Sequence, residues 1–130
     1  MTSREKDNEA TLARLAEGFR TRDVDAILAE FAADGVFLVA AGPEPCGERF
    51  EGKAAIRTAL ERMFKGPPFT LEDATRWIAG DRAVSEWTYV LTTRSGRRVE
   101  VRGCDLFDLR DGKVTRKDTF LKQVVSPSGG

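Results

Sequence analysis

The chain has 130 residues, a length that suits one domain with its own core, and its 21 basic and 21 acidic residues give a formal net charge of zero. This balance argues against nucleic-acid and membrane binding, and no segment approaches the roughly 20 apolar residues of a membrane span. Histidine is absent, and Cys46 and Cys104 lack metal-ligand spacing, so we expect a soluble, cytoplasmic protein without a metal or cofactor.

Apolar residues at helical spacing predict three helices. The first carries Leu12, Leu15, Ala16 and Phe19, and the second carries Val24, Ile27, Leu28 and Phe31 after an Asp23 cap. A strand over residues 36–41 follows, and a third helix covers residues 53–65. Residues 1–8 are predicted to be disordered and residues 126–130 to form a flexible tail, which leaves residues 9–125 as a single domain.

From Phe69 onward the apolar pattern has a period of two, which is typical of strands. Three turn signals, Gly80-Asp81, Ser95-Gly96 and Asp111-Gly112, divide this part into four antiparallel strands. The sequence therefore predicts an α+β fold: a cone-shaped, curved, mixed but mainly antiparallel sheet wrapped on three N-terminal helices, with a cavity at the wide end.

If every turn has two residues, four acids fall on one sheet face: Asp73, Glu86, Asp105 and Asp118, with Asp105 opposite both Glu86 and Asp118. The rest of that face is apolar and carries Leu71, Trp77, Val84, Val90, Val99, Val101, Phe107, Leu109, Val114 and Phe120. Unpaired carboxylates are costly to bury, so this interruption predicts a solvated pocket, a partner cation or a carboxyl that keeps its proton.

The last strand allows two registers, and Asp105 faces inward in both. In the simple register Asp105 meets Asp118, so that it holds its proton and acts as a hydrogen-bond donor. A bulge after Val114 would instead bring Lys117, Thr119 and Leu121 inward, and Asp105 paired with Lys117 would be ionised and structural. The assumed register puts Trp87 and Tyr89 on the opposite face, where we expect a homodimer contact.

Residues 22–27 and the hairpin over residues 101–114 are similar to the nuclear transport factor 2-like superfamily, and within it to SnoaL-like polyketide cyclases and ketosteroid isomerase relatives. The resemblance covers roughly residues 9–125 and implies a cystatin-like α+β roll. It places Asp105 at the protonated aspartate of the isomerase oxyanion hole. The isomerase's general base falls on Val39 and its oxyanion tyrosine near Leu15, so the resemblance does not imply steroid isomerisation by that mechanism.

The main functional hypothesis is a cofactor-independent acid-base enzyme, a cyclase or isomerase, acting on a small apolar molecule with a carbonyl group. The predicted catalytic residues are Asp105, Glu86 and Asp118. The predicted substrate contacts are Phe37, Val39, Asp73, Trp77, Thr88, Phe107, Lys117 and Phe120. One alternative is a non-catalytic ligand-binding or dimerisation domain, and another is an epoxide hydrolase that depends on Asp118, by likeness to limonene epoxide hydrolases.

Overall fold

A computed structural model of the chain describes residues 1–125, so the tail predicted for residues 126–130 lies outside the described part. Its helices and strands follow one another as α1 (Ser3–Thr21), α2 (Val24–Ala29), β1 (Phe31–Leu38), β2 (Arg49–Glu51), α3 (Lys53–Lys65), β3 (Phe69–Ala79), β4 (Arg82–Thr92), β5 (Arg98–Arg110) and β6 (Lys113–Leu121). The strand order is β2-β1-β6-β5-β4-β3, with β1 parallel to β6 and all other neighbours antiparallel. The predicted α+β fold is confirmed.

The helix ends follow from local capping. Helix α1 already begins at Ser3, because the Thr2 hydroxyl accepts a hydrogen bond from the Glu5 amide while the Glu5 carboxylate accepts one from the Thr2 amide. The predicted disorder of residues 1–8 is therefore wrong. Helix α2 is capped by Asp23 as predicted, and α3 has the predicted bounds. Strand β1 begins at Phe31, earlier than expected, and β2 was not predicted.

The core lies between the helices and one face of the sheet, which we call the inner face. It combines side chains of the helices with inner-face side chains of the strands, among them Leu12, Ile27, Leu60, Phe31, Phe37, Phe107 and Val114. The opposite side of the sheet is the outer face. Within residues 1–125, none of the helices has the length and apolar character needed to cross a membrane.

Two of the three predicted turns are confirmed and the third is wrong. Ala79 pairs with Arg82 and Arg110 pairs with Lys113, as two-residue turns require. Between β4 and β5, however, the Thr93 amide donates to the Arg97 carbonyl, and Thr92 pairs with Arg98. The loop is one residue longer than assumed, so each residue of β4 points to the face opposite to the predicted one. Ser85 and Trp87 therefore face inward, while Val84, Glu86 and Thr88 face outward.

Strand β6 takes the bulged register, which was the second of the two alternatives. Leu109 pairs with Val114 and Asp108 with Arg116, so Thr115 is the extra residue. Beyond the bulge, side chains of β6 again alternate between the two faces, but each lies on the face opposite to that of the simple register. Lys117 and Thr119 consequently lie on the inner face with Asp105, and Asp118 lies on the outer face. The predicted pairing of Asp105 with Asp118 is wrong, because Asp105 pairs with Thr119.

Candidate functional site

A cavity of about 140 Å³ opens between helix α1 and the inner face of the sheet. Most of its wall is apolar and is formed by Leu12, Leu15, Phe19, Phe69, Leu71 and Phe107. Its polar groups come from Arg20 on the helix and from the strand residues Thr70, Arg76, Ser85, Asp105 and Lys117, and the Trp87 indole also lines it. A mainly apolar wall with few polar groups is the usual character of a small-molecule site.

A buried ion pair occupies the strand side of this cavity. The Lys117 Nζ lies 2.8 Å from the Asp105 Oδ1, and the two residues are 5% and 4% exposed. The Thr119 hydroxyl donates to the same Oδ1 at 2.5 Å, and the Trp87 Nε1 donates to Oδ2 at 2.9 Å. Both oxygens of Asp105 are thus occupied as acceptors, so this carboxylate is ionised rather than the protonated donor of the carboxylate-pair alternative.

The Lys117 ammonium is held from several sides. It donates to Asp105 and, at 3.1 Å, to the Thr119 hydroxyl. It also lies 4.9 Å from the ring centroid of Phe19 and 4.6 Å from that of Phe37, distances at which a ring face attracts a cation. An ammonium has three N–H donors, and within residues 1–125 only two of them have an acceptor, which leaves the third for a molecule in the cavity.

The Trp87 indole reaches Asp105 because residue 103, its direct partner on β5, is a glycine. A Cβ at Gly103 would lie 2.6 Å from the Trp87 ring and 2.6 Å from the Phe120 carbonyl oxygen. Any side chain there would displace the ring. Gly103 therefore positions the indole N–H that holds the second oxygen of Asp105.

Helix α1 and β3, an edge strand of the sheet, both line the cavity. Two contacts join α1 and its C-cap to β3: the ion pair of Arg76 with Glu9 at 2.7 Å, and the hydrogen bond from Arg22 to the Phe69 carbonyl at 3.0 Å. Phe69 stacks on Tyr89 at 4.8 Å, and burial raises the pKa of the Tyr89 phenol while the nearby Arg22 charge opposes that shift.

Only part of the predicted site comes together. Asp105, Phe107 and Lys117 line the cavity, Phe37 is buried against Lys117, and Val39 packs at the edge of the core. The register places the other predicted site residues elsewhere. Glu86, Thr88 and Asp118 lie on the outer face, where Asp118 pairs with Arg116 at 3.2 Å. The predicted carboxylate cluster is therefore not formed.

Three further predictions are corrected by exposure and backbone geometry. Trp77 and Phe120 are outer-face residues that are 55% and 50% exposed, so they do not wall the cavity. Asp73 is exposed at a bulge of β3 with φ 55°. Conversely, Trp87 is a buried site residue and not an outer-face dimer contact, and Tyr89 stacks on Phe69 from the same inner face.

Sequence reasoning missed Ser85, Trp87 and Thr119 as parts of the site. The assignment of Ser85 and Trp87 to a face depended on the length of one loop. Both faces of β4 carry a mixture of apolar and polar residues, so alternation alone does not identify the inner face. Thr119 follows from the bulge that brings Lys117 inward. Within residues 1–125 no group of three or more cysteine, aspartate or glutamate side chains is placed to bind a metal ion.

Comparison with known proteins agrees with this arrangement of helices, sheet and cavity. A structure from Xanthomonas campestris pv. campestris, named a candidate polyketide cyclase, is 27% identical over 91% of this chain and 92% of its own, with a TM-score of 0.78. A nuclear transport factor 2-like protein of unknown function from Mesorhizobium loti is 26% identical over 95% and 97%, with a TM-score of 0.75. TerC, co-crystallised with polyporic acid, is 24% identical over 89% and 92%, with a TM-score of 0.76.

These neighbours define the class: a nuclear transport factor 2-like α+β fold. The sequence profile of the SnoaL-like domain matches residues 12–117, and the chain belongs to this family. None of the curated proteins compared with the chain matches it. The resemblance inferred from the sequence is thus confirmed, and with it a SnoaL-like small-molecule-binding fold.

Proposed function

We propose that the protein is a cofactor-independent enzyme that moves a proton between carbon atoms next to a carbonyl group of a small, largely apolar substrate. One observation carries this proposal: the buried Lys117–Asp105 pair opens onto an otherwise apolar cavity. A charged pair is costly to bury, and apolar side chains of similar volume often replace such a pair without loss of stability. A chemical role for the pair would account for its presence.

The two groups have complementary roles in this proposal. The free N–H of Lys117 donates to the substrate carbonyl oxygen and stabilises the negative charge that develops there, an effect that is strong in a site from which water is excluded. Asp105 removes the proton from the carbon next to the carbonyl group through Oδ2, whose only hydrogen bond from residues 1–125 comes from Trp87. Ketosteroid isomerases show that an aspartate can serve as such a base beside a strong oxyanion site.

The proton balance needs no further reactant. With a β,γ-unsaturated ketone, Asp105 takes a proton from the α-carbon, a dienolate forms against Lys117, and the same proton returns to the γ-carbon. The product is the conjugated ketone, and Asp105 is again a carboxylate. Asp105 thus acts first as base and then as acid, without the help of Glu86 and Asp118, which lie on the other side of the sheet.

Conversion of cyclohex-3-enone into cyclohex-2-enone tests this function, because conjugation changes the ultraviolet absorbance. We expect turnover above the buffer rate in the wild type and loss of about 100-fold or more in Lys117→Met and Asp105→Asn, the usual scale of a lost oxyanion donor or proton-transfer group. Lys122→Met is the matched control, since Lys122 is an exposed lysine just beyond β6. Circular dichroism verifies folding, and transfer of deuterium from the α-carbon of α-deuterated cyclohex-3-enone to the γ-carbon of the product follows the transferred hydrogen directly.

A second function is favoured by a specific observation, namely that both Asp105 oxygens already accept hydrogen bonds. A non-catalytic ligand-binding protein would use Lys117 only to hold the carbonyl oxygen. It would show a ligand-dependent rise in melting temperature while the ketone is recovered unchanged, with its double bond and α-deuterium in place. That result would exclude the enzyme and retain the pocket. The epoxide-hydrolase alternative loses its key residue, since Asp118 faces away from the cavity.

A further inference from the structure

Ser85 is a polar side chain of the cavity wall, and Lys117, which also lines the wall, has one N–H donor left free. Ser85 lies on the inner face of β4, directly across from Asp105, and is 8% exposed. Within residues 1–125 its hydroxyl has no hydrogen-bond partner, whereas the other polar groups of the wall do. Arg20 pairs with Glu17, Thr70 with Glu72, Arg76 with Glu9, and Trp87 and Lys117 with Asp105.

The Ser85 hydroxyl is open to the cavity rather than enclosed in the core. A polar atom of a bound molecule can therefore take the place of water as its hydrogen-bond partner. Directly opposite residues in antiparallel strands have Cβ atoms about 5 Å apart, so the Ser85 hydroxyl and the Asp105 carboxylate lie side by side in the wall. The Lys117 ammonium is held on that same carboxylate. A single oxygen atom of a ligand can therefore accept two hydrogen bonds, one from the Ser85 hydroxyl and one from the Lys117 ammonium.

The charges of the wall indicate a neutral ligand. Each cation that lines the cavity has a carboxylate partner: Arg20 has Glu17, Arg76 has Glu9, and Lys117 has Asp105. An anionic ligand would have to compete with one of these carboxylates for its cation. A cationic ligand would lie beside the ammonium of Lys117 and be repelled by it.

The volume of the cavity indicates the size of the ligand. At about 140 Å³ it is close to an engineered apolar cavity of roughly 150 Å³ that binds benzene. We propose that Ser85 determines specificity for a neutral molecule with one ring and a ring carbonyl oxygen, which bridges Ser85 and Lys117. This inference rests on the proposed function, because it concerns the ligand of the same site.

Cyclohexanone and methylenecyclohexane test the inference, since they have nearly the same shape and differ in the oxygen atom. We expect the wild type to bind cyclohexanone at least roughly 20-fold more tightly than methylenecyclohexane, because the oxygen atom accepts two hydrogen bonds, one of them from a charged group. In Ser85→Ala, the affinity for cyclohexanone should fall by about fivefold, while the affinity for methylenecyclohexane should not change. Thr92→Ala is the control, because Thr92 is an exposed residue of the same strand. Ligand-observed nuclear magnetic resonance gives both affinities.

Two further probes test charge and size. Cyclohexanecarboxylate and the two-ring ketone 2-decalone should each bind at least tenfold more weakly than cyclohexanone, and equal or tighter binding of either would overturn that part of the inference. Unchanged cyclohexanone affinity in Ser85→Ala would overturn the role of Ser85, while loss of turnover in Lys117→Met would still support the proposed function. If Ser85 discriminates between the two ligands but the wild type isomerises no ketone, the role of Ser85 is supported and the proposed function is contradicted.

Discussion

Lys117, whose chemical role is proposed above, also bears on the stability of the molecule. Its ammonium lies between two phenylalanine rings and is bound to a carboxylate that is itself buried. Removal of one partner leaves the other charge buried without compensation, which costs more than the pair contributes as a whole. The stability of this site is therefore a property of the pair and not of either residue.

We predict that Lys117→Met lowers the free energy of unfolding by about 3–5 kcal/mol, because it leaves the Asp105 carboxylate without its cation. In the double variant Lys117→Met/Asp105→Leu most of that loss should be recovered, since an apolar pair of similar size needs no charge partner. Urea denaturation of the wild type, both single variants and the double variant measures the coupling. Additive losses in the double variant would contradict the prediction.

Gly103 gives a second prediction at the residue scale. In Gly103→Ala the new methyl group would overlap the Trp87 ring, so we expect a loss of about 1–3 kcal/mol in stability and displacement of the indole from Asp105. Trp77 and Trp87 are the two tryptophans of the chain, so a Trp77→Phe background isolates the emission of Trp87.

In that background Gly103→Ala should shift the emission to longer wavelength as the indole meets water. The matched control is Gly66→Ala, where the nearest atom to a new Cβ is the Met63 carbonyl oxygen at 3.4 Å and no shift is expected. An unchanged spectrum in Gly103→Ala would show that the ring tolerates a side chain beneath it.

Among the elements, α1 is the one that covers the cavity, and its N-terminal end is fixed to the turn between β3 and β4. The Glu5 carboxylate accepts from the Gly80 amide at 3.0 Å, and the Asn8 amide group donates to the Gly80 carbonyl at 2.9 Å. Hydrogen bonds from the Gly80 and Thr2 amides lower the pKa of Glu5 from 4.5 to about 2. This end of the helix is therefore sensitive to acid.

The sign of this effect follows from the direction of the shift. A carboxyl with a depressed pKa in the folded state adds stability above pH 4.5, and this contribution is lost as the pH falls from 4.5 to about 2. We predict that Glu5→Gln is less stable than the wild type at pH 6 and that the difference disappears near pH 2. Glu61→Gln, at an exposed site of α3, serves as the control in urea titrations at each pH.

The elements also show what could be predicted from the sequence. Periodicity and caps located α3 and the N-terminus of α2, because those signals are local. The inner face of β4 was assigned wrongly because it depends on a three-residue loop, residues 94–96, in place of a two-residue turn. This loop is closed by hydrogen bonds between Thr93 and Arg97, which the Ser-Gly pair in the sequence does not predict. The face of β6 depended on Thr115, an extra residue that only the pairing with β5 reveals.

The site was predictable where both registers agreed. Asp105 faces inward whichever way β6 is paired, because its position follows from the two-residue turn at Asp111-Gly112 and from alternation along β5. The side chains that contact Asp105, by contrast, differ between the two registers of β6. A shift of one residue exchanges Asp118 for Lys117 and Thr119, and this exchange changes an expected protonated acid into an ionised carboxylate.

At the scale of the whole molecule, the helices cover one face of the sheet, and in the described part of the chain this is the inner face only. The outer face carries Trp77 and Phe120, and an ion-pair chain that runs from Arg82 through Asp108 and Arg116 to Asp118. A dimer with twofold symmetry brings one surface patch against its own copy. A patch that contains positive, negative and apolar side chains can be complementary to the same patch on a second copy of the chain.

We therefore predict a homodimer through the outer face, with Trp77 and Phe120 as contacts in place of Trp87 and Tyr89. Sedimentation velocity should show a dimer for the wild type and a monomer for Trp77→Ser and Phe120→Ser, because each change removes a large apolar side chain from the centre of a contact. Val124→Ser changes an apolar residue that is 67% exposed beyond β6 and should remain dimeric. A wild type that stays monomeric as its concentration rises would contradict the prediction, whereas the cavity, which lies on the other face, would still bind its ligand.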